Sequence, residues 1–148
     1  MSSTESTYTN AGSAFRAAVE DGFTRGKLDD ATMEAIRPLL AEDIVFHSPV
    51  TFHPFLGRDT VSALLGLVGE TFENFRYVDE LTGEKSHELV FKAEVDGREL
   101  EGIDLLRFDD DGLICDFTVM IRPLSGLLPF AQKMGEKAQN AGVETTRA

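Results

Sequence analysis

The dipeptide Asp96-Gly97 constrains this chain more than any other feature. It separates two runs of alternating character, 87–95 and 98–108. A two-residue turn of this type is the strongest short-range signal for a β-hairpin. It also sets the register, because facing residues must then have numbers that sum to 193. Val95 faces Arg98, Ala93 faces Leu100, Phe91 faces Gly102, Leu89 faces Asp104 and His87 faces Leu106. Side chains alternate along a strand, so these residues share one face. That face is apolar except for Arg98 at the turn, His87 at the far end and Asp104. The opposite face carries Glu88, Lys92, Glu94, Glu99, Glu101 and Arg107.

Asp104 is the anomaly on the apolar face. A carboxyl there either finds a charged partner or has its pKa raised by desolvation. In its protonated form it can donate a hydrogen bond to a substrate oxygen. The alternative is a structural carboxylate satisfied by backbone amides or water. His87 lies diagonal to Asp104 and is expected either as a base or proton-sharing partner, or as a half-exposed histidine at a strand start. The remaining expected pocket residues are Leu89, Phe91, Leu100 and Leu106 on this face. Phe117, Val119 and Ile121 join them from the next strand, and Ser48 from a loop.

The rest of the chain supplies helices. Phe15, Ala18, Val19, Gly22 and Phe23 recur at helical spacing, with Asn10 or Ser13 as candidate caps. A shorter helix begins near Asp29 and Asp30 and carries Met33 and Ile36 inward until Pro38 interrupts it. A short strand over 44–46 ends before Pro49. Asp59 is placed to cap a third helix bearing Val61, Leu64, Leu65, Val68 and Phe72. Gly66 and Gly69 in it imply close approach by another element. The period then changes from 3.6 to 2 for four strands, 75–81, 87–95, 98–108 and 113–122. A last amphipathic helix carries Leu124, Leu127, Leu128, Ala131 and Met134, with Pro129 expected in its first turn. Helices on one side of an antiparallel sheet make an α+β fold, and a curved sheet wrapped on them leaves a concave mouth. The polar, aperiodic ends, 1–9 and 139–148, are expected to be mobile tails around a single domain over 10–138.

Charge and cysteine content narrow the function. Lys and Arg number 14 against 26 Asp and Glu, a net charge of −12. Phosphate backbones and anionic membrane surfaces need a basic patch, so no nucleic acid and no membrane are expected as partners. No apolar run reaches the roughly 20 residues that cross a bilayer. The Ser/Thr-rich start lacks the apolar stretch of a secretory signal, so the expected location is cytoplasmic. Cys115 alone gives no disulfide and no multi-cysteine zinc site, and is expected as a core thiol. His47 and His53 flank the Pro49 loop without a third ligand at metal spacing, so no metal is expected. No glycine-rich loop opens a helix after a strand, and no cofactor is expected. Ser48 lies outside any nucleophile-elbow setting.

Two stretches carry a family likeness. GIDLLRFDDDGLI resembles the strand–turn–strand of bacterial ketosteroid isomerases. LAEDIVFHSPVTFHPFLGR resembles the same family's helix end, short strand and loop. That family belongs to the nuclear transport factor 2-like superfamily, with the SnoaL-like cyclases and the limonene epoxide hydrolases. The resemblance, over roughly 15–122, implies a cone-shaped curved sheet wrapped on helices and a homodimer. It also implies a pocket for a small apolar carbonyl compound of polyketide or steroid-like type. By resemblance Asp104 falls on the isomerases' oxyanion-hole aspartate. Their catalytic-base aspartate falls on Ser48, and their first-helix tyrosine has no counterpart among Val19, Phe23 and Thr24. The hydrolases' Asp–Arg–Asp set is incomplete, because Arg107 and Asp116 point to the other face by parity. The resemblance leaves three readings open: an acid–base isomerase or cyclase, a ligand-binding module without chemistry, and a dimeric interaction domain.

Overall fold

The computed structural model describes residues 3–142. Helix α1 spans Ser3–Thr24. It begins well before Asn10 and Ser13, so helical backbone covers most of the stretch expected to be a tail. Residues 3–9 hold no proline or glycine, and serine and threonine cost little once a helix has nucleated. Helix α2, Asp30–Ile36, is capped by Asp29, whose carboxylate accepts from the Thr32 N–H. One 3-10 turn at Arg37–Leu39, holding Pro38, leads into β1, Leu40–His47. A two-residue strand β2, Phe55–Leu56, lies within the stretch expected to be loop.

Helix α3, Arg58–Thr71, has Gly57 at its N-cap, where Asp59 had been expected. Asp59 sits in the first turn and pairs with Arg37 instead. Of the two glycines in α3, Gly69 lies against Leu28, where a Cβ would meet Leu28 Cγ at 2.4 Å. Gly66 faces open space. Strands β3, Glu73–Thr82, β4, Ser86–Val95, β5, Arg98–Phe108, and β6, Ile114–Arg122, follow in the expected order. Helix α4 spans Leu124–Asn140. Because it starts at Leu124, Pro129 falls in its second turn. Its buried residues are Gly126, Phe130 and Ala138, while Leu124 and Leu128 are exposed. Helix α4 takes in the start of the expected C-terminal tail, whose last residues, 143–148, lie outside the described residues.

The sheet order is β2-β1-β6-β5-β4-β3. The β4–β5 hairpin has the register expected from its turn, from Val95 opposite Arg98 to His87 opposite Leu106. Asp96 and Gly97 both take positive φ. Strands β3 to β6 form the expected antiparallel meander. Strand β1 pairs parallel with β6, so the whole sheet is mixed.

Register shifts interrupt β1–β6, β3–β4 and β5–β6. Such bulges bend and twist a sheet, and here they accompany a concave face on which the helices pack. The last shift sets Cys115 outside the pairing, half-buried rather than in the core. The core lies between that face and the helices, around Phe15, Ile36, Ile44, Leu89, Phe91, Leu106 and Phe117.

Candidate functional site

A cavity of about 230 Å³ opens between the concave face, α1, α3 and α4. Its walls are aromatic and aliphatic. Phenylalanines come from every side, among them Phe15 and Phe23 of α1, Phe46 of β1, Phe72 and Phe75 before and in β3, and Phe130 of α4. Ser48, Pro49, Val50 and Thr51 line it from the loop after β1. Asp104 and Tyr77 are the titratable side chains in its wall.

Asp104 sits mid-strand in β5, between Leu89 and Val119 on the neighbouring strands. It is 7% exposed. The Tyr77 hydroxyl donates to its Oδ2 at 3.0 Å. Burial pushes the Asp104 carboxyl up to about 7, and the tyrosine hydrogen bond pulls the other way. Burial, with the Asp104 carboxyl beside it, raises Tyr77 well above the ordinary phenol range. Tyr77 is therefore the fixed donor of the pair and Asp104 the member that titrates. With Oδ2 engaged, Oδ1 donates to a ligand when protonated and accepts from one when ionised.

Tyr77 had no counterpart in the sequence reading. It comes from β3, whose register slips by one residue at Val78. Glu80 pairs with Leu89, but Tyr77 pairs with Phe91, leaving Val78 extra. Both Glu80 and Tyr77 consequently face the concave side. Arg16 of α1 lies over the Tyr77 ring, 5.7 Å from its centroid, a cation–π contact that keeps the ring in place.

His87 does not reach the cavity. It is 1% exposed, not half-exposed, and lies under α1, where a Cβ on Gly12 would meet its ring at 2.6 Å. Its Nε2 meets Glu80 Oε2, and its Nδ1 lies 3.3 Å from Thr82 Oγ1. Glu80 also accepts from Arg16 Nη1 at 2.8 Å. Burial works against the Glu80 carboxylate, but His87 and Arg16 outweigh it and hold its pKa below the usual range. His87 is thus tied into an ion cluster behind Tyr77 rather than facing a ligand.

Of the other expected pocket residues, Phe117, Val119 and Ser48 line the cavity with Asp104. Leu89, Phe91, Leu100 and Leu106 lie on the predicted face but are covered. The face is longer than the cavity, and helices close over its ends. Gly126 of α4, for example, sits directly on Leu100. Phe91 backs the wall through ring contacts with Phe72 and Phe75. Ile121 packs at the edge of the core. Ser48 Oγ accepts from the Val50 and Thr51 N–H groups, which makes it a turn-forming residue. His47 binds Asp116 at 3.1 Å, and the His53 ring rests edge-on to Phe55. Among the described residues no cluster of three or more His, Cys, Asp or Glu is placed to hold a metal. No helix among them is long and apolar enough to cross a membrane.

This arrangement has relatives. The chain is 38% identical to a steroid delta-isomerase from Pseudomonas aeruginosa, over 88% of this chain and 93% of that one, with a TM-score of 0.77. It is 30% identical to an uncharacterized bacterial protein with a cystatin-like fold from Silicibacter pomeroyi, over 89% and 87% of the two chains, with a TM-score of 0.79. A nuclear transport factor 2-like protein of unknown function from Burkholderia xenovorans shares the fold at 16% identity, over 81% and 86%, with a TM-score of 0.64. No curated protein matches the sequence. Residues 15–117, from the first cavity-lining phenylalanine to the one on β6, match the SnoaL-like domain. With the mixed curved sheet, the helices on its concave side and these likenesses together, the chain belongs to the SnoaL-like domain family and has the nuclear transport factor 2-like fold.

Proposed function

We propose that the cavity is a ligand pocket for a small apolar carbonyl compound, a polyketide or steroid-like ring system, and that Asp104 is the hydrogen-bond donor to the carbonyl oxygen. The chemistry that fits is acid–base isomerisation or cyclisation. One observation carries the reading: a single carboxyl, oriented by the Tyr77 hydroxyl and pushed up to about 7 by its burial, lies in a wall made mostly of aromatic and aliphatic side chains. The likeness to a steroid delta-isomerase supports it. The volume lies below the roughly 300–1,000 Å³ of drug-sized sites, which favours one- or two-ring members of that class.

A second reading, a binding module without turnover, is favoured by the wall itself. Among its residues Asp104 and Tyr77 alone titrate, so no separate base stands opposite Asp104. A panel of one- and two-ring ketones such as 1-tetralone tests both. A ketone at 100 times its Kd stabilises the fold by about 2.7 kcal/mol, a readable thermal shift. Because the donor is the protonated form, affinity is expected to fall about tenfold from pH 6 to pH 8. Asp104→Asn keeps a donor and loses that pH dependence. Asp104→Leu loses the donor and at least tenfold in affinity. Ketone affinity that is level across pH in the wild type contradicts the assignment. In D2O, no acceleration of hydrogen–deuterium exchange at the ketone's α-carbon selects the binding module over the enzyme.

We also infer a homodimer through the outer sheet face. Ile103 and Leu105 are half-buried there, Met120 is exposed, and Glu101 pairs with Arg122. A two-fold axis over this face would set these apolar side chains against the same patch of a second copy.

A further inference from the structure

The geometry points to a second ligand class for this cavity: small apolar amines, held as cations by Asp104 among aromatic rings. The inference rests on the reading that the cavity takes a ligand, and it adds a class with opposite charge behaviour.

The wall supplies one carboxyl and no cation. No Lys, Arg or His is among its residues. When Asp104 ionises, Tyr77 satisfies Oδ2, and Oδ1 has no protein partner among the described residues. Any charge that neutralises it must arrive with the ligand. The groups that could compete are engaged elsewhere. Arg16 of α1 lies against the Tyr77 ring and is bound to Glu20 and Glu80. His87 of β4, on the same sheet face, is bound to Glu80 and Thr82. From β6 the inward side chains are Ile114, Phe117, Val119 and Ile121, none of them charged, and the part of α4 in the wall is Phe130, Ala131, Met134 and Gly135.

An ammonium group suits this setting for three reasons. It donates to Oδ1 with a charge-assisted hydrogen bond. Its remaining faces meet phenylalanine rings, whose negative π-faces attract cations best where water is excluded. The burial cost of the carboxylate is already met by the fold, so the ligand has only its own desolvation to offset. The net charge of −12 also raises the local concentration of cations around the molecule.

The sign of the pH effect separates the two ligand classes. The Asp104 carboxyl titrates at about 7. An alkyl amine, like the lysine side chain, stays protonated well above pH 8. The binding-competent ionised fraction therefore grows about tenfold from pH 6 to pH 8, and amine affinity should grow with it. Ketone affinity falls over the same interval.

Isothermal titration with 2-phenylethylamine, its neutral isostere 2-phenylethanol and 1-tetralone at pH 6, 7 and 8 tests the inference. The amine is expected to bind about tenfold tighter at pH 8 than at pH 6, and the alcohol to change less than about twofold. Asp104→Asn should lose at least tenfold in amine affinity and retain the alcohol, which reports an intact cavity. The pH series on the wild-type protein reads the same sign without a variant. Amine affinity that is level or falling with pH, or equal in wild type and Asp104→Asn, overturns the inference. If 1-tetralone binds and the amine does not, this inference falls and the proposed function stands. If no probe binds at any pH, both fall.

Discussion

At pH 8, Asp104→Asn is expected to be more stable than the wild-type protein, by up to about 4 kcal/mol. Asp104 titrates near 7 in the folded protein against 3.8 for an ordinary aspartate, because burial penalises its charge. Each pH unit of that displacement is worth about 1.4 kcal/mol. The sign follows from linkage. A folded-state pKa raised above the unfolded one gives stability that is fully present below about pH 4. That stability is lost as the pH rises through about 7. Asparagine has the same shape, accepts the Tyr77 hydrogen bond through its carbonyl, and carries no charge to desolvate. The gap between variant and wild type should therefore be small near pH 4.5 and reach its full size at pH 8. Urea unfolding at the two pH values measures it. A variant less stable than wild type at pH 8 would mean that Asp104 is a satisfied structural carboxylate. The expected gain in stability is the usual relation for an ionisable group kept in an apolar site.

Phe91→Ala is expected to cost about 3–5 kcal/mol, a large share of the roughly 5–15 kcal/mol that holds a domain of this size together. Phe91 is 1% exposed, with ring centroids 5.4 Å from Phe72 and 5.0 Å from Phe75. It fills the space above Gly102, where a Cβ would meet Phe91 Cζ at 2.5 Å and the Met120 carbonyl at 2.4 Å. Its neighbours cannot relax into the void. Phe72 is stacked on Phe130 at 4.9 Å and Phe75 on Phe23 at 4.6 Å. The denaturant midpoint should drop accordingly, without a change in slope. A loss under about 2 kcal/mol would show that the aromatic layer repacks freely.

Much of the fold could be read from particular residues. The Asp96-Gly97 turn set the hairpin register, and the register put Asp104 on the concave face. Helical spacing in α1 placed Phe15, Val19 and Phe23 toward what became the cavity. Part of what escaped comes from bulges, which are not visible in a periodicity. Unbroken alternation through β3 from Glu80 would turn Val78 inward and Tyr77 out. The slip at Val78 reverses this and supplies both the Asp104 partner and the Glu80 carboxylate that claims His87. The signal available was a tyrosine two residues after Phe75 in a strand, which does not specify a side. Coverage was the other missing quantity. Alternation told which face Leu89, Leu100 and Leu106 occupy, but helix packing decided that they are covered and that Phe117 and Val119 line the cavity. The parallel β1–β6 pairing is a long-range contact with no local signature.

The proposed ligand classes and the stability prediction all depend on one property, the titration of the Asp104 carboxyl in its apolar site. The most direct measurement is a pH titration of the aspartate side-chain carboxyl carbons by NMR, with the Asp104 resonance assigned by its absence in Asp104→Asn. The predicted result is a midpoint at about 7. A midpoint in the ordinary range near 4 would contradict the account, because Asp104 would then be ionised throughout and unable to serve as a hydrogen-bond donor at neutral pH.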